Sequence, residues 1–197
     1  MYAIQGSKDN VISSDILPPL PYRIDSVTDA KEFNRIIKCA TSLVRRCYEY
    51  KLWIDYVKKT LGYNKCALTG EVTDDVTIEI HHHPICLSEI CEIVLENKLS
   101  KDESFSTLDI ANEVMELHYK NIVGYIPLCS TLHEKYHNSK LLIPINLVHG
   151  EWKELFSIYK IPDSIVVKVS KLASIGETNH KGWEKDSYIG ITNERIN

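Results

Sequence analysis

A run rich in β-branched residues ends in three histidines and a proline, Ile78-Glu79-Ile80-His81-His82-His83-Pro84, and a second pair, His133 and His137, follows at helical spacing. Imidazole is only moderately suited to a core and is not needed on a surface, so this concentration points to chemistry more than to packing. The strand-like run offers a metal ligand and a proton acceptor. Two histidines four residues apart project from one face of a helix and can close a metal site with it. The fold is therefore expected to bring this strand end against that helix.

A chain of 197 residues with 44% hydrophobic content can bury a respectable core, and one compact body is expected. No apolar run approaches the roughly 20 residues that cross a bilayer, and the first residues lack the basic and apolar regions of a secretion signal. A cytoplasmic protein with no membrane partner is the expectation. The six cysteines show no framework spacing, so free thiols are predicted and no disulfides. The net charge of −4 conceals an asymmetry. Lys31, Arg35, Lys38, Arg45, Arg46, Lys51, Lys58, Lys59 and Lys65 outweigh the acids between 31 and 65, whereas acids dominate between 71 and 116. Such a dipolar chain can turn a basic face to nucleic acid while staying acidic in sum.

The Pro18-Pro19-Leu20-Pro21 cluster excludes regular helix and predicts an extended N-terminal arm over residues 1–25. Thr28 or Ser26 is expected to cap a helix carrying Phe33, Ile36, Ile37, Ala40, Leu43, Val44 and Cys47 at three- and four-residue intervals. A second helix, from about Tyr48 to Leu61, is expected to set Leu52, Trp53, Tyr56 and Val57 on one side and to stop at Gly62. A turn at Cys66 to Gly70 precedes a hairpin strand, read from the alternation of Val76, Ile78 and Ile80. Helical spacing over Leu87–Leu99 and Thr107–Tyr119 predicts an inserted helical hairpin. Ser130 or Thr131 is expected to cap the helix bearing the second histidine pair, Trp152 to Tyr159 to form one more short helix, and the stretch from Ser174 to be a polar tail. The aromatic set Tyr48, Tyr50, Trp53, Tyr56 and Tyr63 is read as core in preference to a base-stacking platform.

The order of parts, a strand ending in paired histidines, an intervening Asn121, then His133-x-x-x-His137, resembles the HNH branch of the His-Me finger (ββα-metal) endonucleases. Glu79-Ile80-His81-His82 is similar to the Glu-Leu-His-His segment of colicin-type nuclease domains, over roughly residues 62–140. The resemblance implies an α+β fold, a mostly helical body with an embedded ββα-metal motif. Its parts would be an arm and basic helical region (1–61), the core (62–140, with a helical insertion at about 86–119) and a C-terminal extension and tail (141–197). It implies a hydrolase cutting DNA through one divalent ion, Zn, Mg, Mn or Ni, held by His81, His133 and His137. His82 would be the general base, Asn121 would brace its loop, Glu79 would orient the base or cation, and Lys135 or Lys140 would contact substrate phosphate.

Pro84 leaves the register open between His81 as ligand with His82 as base, and His82 with His83. The family's structural zinc is not expected, because Cys66 and Cys129 lack their second cysteines, and both are read as small buried residues. The alternatives are a degenerate module that grips nucleic acid or protein around a structural metal, and an RNA-cutting relative. His118, His149 and His180 are read as ordinary surface or hydrogen-bonded residues. Sequence specificity and oligomeric state stay open, as does the origin among phages, mobile introns, toxins and restriction systems.

Overall fold

Asp29 begins the first helix. Its backbone is extended, and its carboxylate accepts the Glu32 amide at 2.8 Å, while Glu32 reaches back to the amide and hydroxyl of Thr28. The cap is thus one residue later than Thr28, which serves instead as the donor to Glu32. In the computed structural model, which describes residues 23–24, 26–70, 77–101, 104–138 and 141–178, this helix is α1 (Ala30–Arg46). The arm before Arg23, Lys140 and His180 lie outside the described residues.

Cys47 is extended and ends α1, and its sulfur accepts the Tyr50 amide at the start of α2 (Tyr48–Asp55). A π-helical turn (Tyr56–Thr60) continues α2, and the path ends where Gly62 takes φ 76°. Trp53 and Val57 are buried, whereas Leu52 and Tyr56 face solvent, so the expected four-residue stripe is split between two faces. Tyr48 is also exposed, which leaves Trp53, with the half-buried Tyr50 and Tyr63, as the part of the aromatic set that packs inward.

The helices α3 (Leu87–Ser100) and α4 (Thr107–Tyr119) fall where periodicity predicted them. They are not an appendage. Both pack on α1, and Ile90, Ile93, Val94, Leu95, Ile110 and Val114 supply the most buried part of the main core. Before α4, β3 (Phe105–Ser106) pairs antiparallel with β1 (Arg23–Ile24), Arg23 opposite Ser106.

The strand β2 (Ile78–His82) pairs antiparallel with β4 (Tyr125–Cys129), with His81 opposite Ile126 and His82 opposite Tyr125. The chain passes from β4 into α5 (Ser130–His137), whose N-cap position is Cys129, not Ser130 or Thr131. Under this strand pair and α5 lies a second apolar cluster of Cys66, Leu68, Ile78, Ile126, Leu128, Cys129, Leu132, Leu141 and Ile143. Cys66 and Cys129 meet there as buried residues, and none of the six cysteines is in a disulfide. Short turns at Ile145–Leu147 and Trp152–Glu154 lead into α6 (Leu155–Ile158) and α7 (Asp163–Thr178). Helix α7 runs past Ser174, where a polar tail was expected, because Ile165 and Val169 bury one face and Lys168 pairs with Glu89 of α3. The class is therefore α+β, mostly helical with two small antiparallel sheets.

Gly124 is required where the two strands enter their ladder. Its carbonyl accepts the His83 amide at 3.1 Å, and a Cβ there would sit 2.2 Å from the His83 carbonyl oxygen. Gly124→Ala must push the backbone after the histidine run aside. The expected cost is about 1–3 kcal/mol, read as a lower urea midpoint at unchanged slope; a midpoint equal to wild type would contradict this packing.

Candidate metal centre

Strand alternation divides the histidine run between two environments. Glu79, His81 and His83 point toward α5, and His82 points into the helical core. On α5, one helical turn sets His133 and His137 side by side, with ring centroids 4.5 Å apart. His81 lies 4.9 Å from His133 and 5.2 Å from His137 by the same measure, and one ring nitrogen from each of the three lies within 4.8 Å of the others. The edge of Tyr136 closes one side of His81 at 4.5 Å.

The protonation pattern leaves lone pairs aimed inward. Glu79 Oε2 lies 2.7 Å from His133 Nδ1, so Nδ1–H donates to the carboxylate and Nε2 is left as a lone pair. That Nε2 lies 3.0 Å from His137 Nε2. The Nε2 of His81 is buried and has no hydrogen-bond partner. Burial, then the neighbouring His133, His83 and His137, hold His81 down at about 3, which keeps it neutral and able to offer a lone pair. A tetrahedral ion with about 2.05 Å bonds would separate its nitrogen ligands by roughly 3.3 Å, so the donor set of these three residues is one that could hold such an ion.

His82 faces away from this cluster. Its Nε2 lies 2.8 Å from His118 Nε2, while His118 Nδ1 lies 2.7 Å from the Val114 carbonyl. A carbonyl only accepts, so His118 carries its proton on Nδ1, and His82 Nε2–H donates to His118 Nε2. Trp53 and Tyr50 stack on the His82 ring. His82 is buried and engaged on the far face of the strand, which corrects its expected place as a base beside the ion. His83 does not fill that place either, because its Nε2–H donates to the Ile143 carbonyl at 3.1 Å and its Nδ1 accepts from Tyr136 Oη at 3.3 Å.

Asn121 has φ 59° and ends α4 in the left-handed region, its Oδ1 accepting from Tyr125 Oη and its carbonyl from the Glu151 amide. These contacts shape the entry to β4, whereas a brace on the histidine loop was expected. Lys135 is exposed on α5, and Lys140 lies outside the described residues. Sequence reasoning passed over His118 as an ordinary hydrogen-bonded residue, and also missed Tyr136. The signal for Tyr136 was its position between His133 and His137, one residue before the latter; nothing local marked His118. Lys31, Arg35, Lys38, Arg45, Arg46, Lys51, Lys59 and Lys65 are exposed, and Lys58 is partly covered.

A family model described as bacteriophage G278-like virion protein matches residues 17–193. No curated protein and no solved structure matches. The resemblance to HNH endonucleases is overturned by that match, and with it the reading as a DNA-cutting hydrolase: the family spanning nearly the whole chain is one of virion proteins. An origin in phage agrees with it. Among the described residues no helix is long and apolar enough to cross a membrane.

The His82–His118 pair gives the fold a pH dependence of definite sign. Burial holds His118 down at about 4 and pushes His82 well below the ordinary histidine value, whereas in the unfolded chain both titrate near ~6.5. Between about 6.5 and 4 the unfolded chain binds more protons, so stability is full above the unfolded value and is lost as pH falls through this window. Urea midpoints measured with EDTA present should drop steadily from pH 7 to pH 4.5. A flat profile would show that these rings are not buried neutral.

Proposed function

We propose that this chain, which belongs to the bacteriophage G278-like virion protein family, is a component of the phage particle in which β2, β4 and α5 form a ββα unit holding one divalent ion on His81, His133 and His137. The carrying observation is the buried, unpartnered Nε2 of His81 beside the 3.0 Å pair of Nε2 atoms from His133 and His137. A polar atom buried without a partner costs about 1–3 kcal/mol, and an ion removes that cost, taking the place of the proton that His137 Nε2 otherwise donates to His133 Nε2. Three neutral imidazoles favour Zn or Ni over Mg, which prefers oxygen ligands. Glu79 fixes the His133 tautomer and raises its basicity as an outer partner of the ion.

The ion's role on this reading is to clamp. A two-stranded ladder and an eight-residue helix are each marginal alone, and α5 carries only Leu132 as a fully buried side chain. A ligand bound at 1,000 times its dissociation constant adds about 4 kcal/mol, which for a chain of this size raises the melting temperature by roughly 10 °C. Zinc added to metal-free protein should bind at one equivalent with a shift of that order, reversed by EDTA. His137→Ala, at an exposed position, should abolish the shift, and Glu79→Gln should weaken binding by about 10–100-fold. Zinc binding unaffected by His137→Ala would refute the site.

The exposed bases of α1 and α2 support a second element of this reading, contact with nucleic acid. Lys31, Lys38, Arg45 and Lys51, with Lys65 in the loop after Gly62, form no ion pair among the described residues, so their charge is available to phosphates. Duplex DNA binding should weaken with salt, and Lys38→Glu combined with Lys51→Glu should reduce the slope of that dependence by about 2. Salt-independent binding, or binding indifferent to both reversals, would remove this face as the contact.

A further inference from the structure

Helix α2 and the turn that continues it show two different sides. Trp53 and Val57, four residues apart, are buried on the core side, and Tyr48, Leu52 and Tyr56 follow one another at four-residue steps on the other. Tyr48 is 68% exposed, Leu52 44% and Tyr56 50%, so among the described residues this row is left to solvent. Single apolar side chains scattered on a surface need no explanation, whereas three in register along one helix make a continuous strip.

The charges around the strip say what it suits. Lys51 is exposed on the same helix, as are Arg45 and Arg46 just before it and Lys65 just after it. Of the two acids in this stretch, Asp55 is paired with Lys59 at 2.9 Å, which leaves Glu49 to set against those cations. Lysine is depleted in protein–protein interfaces, whereas cations interleaved with aromatic rings track a phosphate backbone and stack its bases. In a duplex the base faces are hidden within the stack, so rings held out on a helix can meet them only in an unpaired strand. Tyr48 and Tyr56 are about 12 Å apart along the helix axis, the length of roughly three to four nucleotides at about 3.4 Å each. Stacking and phosphate contact make no use of a ribose 2′-hydroxyl, so the strand need only be DNA. Resting on the phosphate contact proposed above for the bases of α1 and α2, we propose that the outer face of α2 is a docking strip for single-stranded DNA, with bases stacked on Tyr48 and Tyr56 across Leu52 and phosphates met by Lys51 and Lys65.

Fluorescence anisotropy of the full chain with a labelled oligothymidylate, a DNA duplex of equal length and an oligouridylate provides the test. Oligothymidylate should bind at least about tenfold more tightly than the duplex and no more weakly than oligouridylate. Tyr48→Ala combined with Tyr56→Ala should weaken oligothymidylate binding by at least about tenfold, while duplex affinity and melting temperature stay as in wild type, because both side chains are exposed. Tyr48→Phe combined with Tyr56→Phe keeps both rings and should bind as wild type does. Single strands carrying iodouracil should photocrosslink to Tyr48 or Tyr56, located by peptide mapping. Duplex binding that responds to Lys38→Glu and Lys51→Glu, beside single-strand binding indifferent to the loss of both rings, would overturn the strip and leave the phosphate contact standing. Binding of neither form would overturn both. Crosslinks confined to other residues, or oligouridylate bound more tightly than oligothymidylate, would overturn the strip as a site for DNA.

Discussion

The pairing of β2 with β4 is the constraint on which the rest of this molecule depends. Its two strands are separated by the whole of α3 and α4, so the ladder forms only when those helices have packed on α1 and returned the chain to its starting point. Closing so long a loop costs entropy that a five-residue ladder does not offset alone. The helical core offsets it, with Ile90, Ile93, Val94, Leu95, Ile110 and Val114 all excluded from solvent. The register of the ladder then aims each histidine, and the direct passage from Cys129 into α5 presents His133 and His137 to the strand.

Alternation along β2 turns three chemically identical neighbours into three different groups. His81 is buried with its Nε2 unpartnered beside α5, His82 is neutral and stacked among Trp53 and Tyr50, and His83 ties Tyr136 to the Ile143 carbonyl. The last of these joins the ladder to the segment following α5, so the helix that carries His133 and His137 is also anchored by the third histidine of the run. Lys168 of α7 reaches Glu89, whose carboxylate also caps α3 at Cys86, and this brings the C-terminal helix into the same assembly.

The histidine pattern led toward a nuclease because its spacing satisfies metal geometry, and metal geometry is indifferent to what happens at the open ligand position. Function belongs to the site and its surroundings, and a ligand set transfers between unrelated roles. The family spanning residues 17–193 is one of virion proteins, and the ring expected to activate water is turned into the core. Both findings separate the convergence of the rings from the reaction that the resemblance attached to it.

Local periodicity in the sequence was enough for α1, α3, α4 and the strand at Ile78, because burying one face at a 3.6- or 2-residue repeat is a property of contiguous residues. It also carried the pairing of His133 with His137, a matter of one helical turn. Which of the three strand histidines would face that pair, that His118 would take the proton of His82, that Asn121 would turn the chain into β4, and that the presumed insertion would be the principal core were decided only in three dimensions. Each depends on contacts between residues far apart in the chain, and their geometry is set by how whole helices and strands pack, for which no local repeat carries a signal.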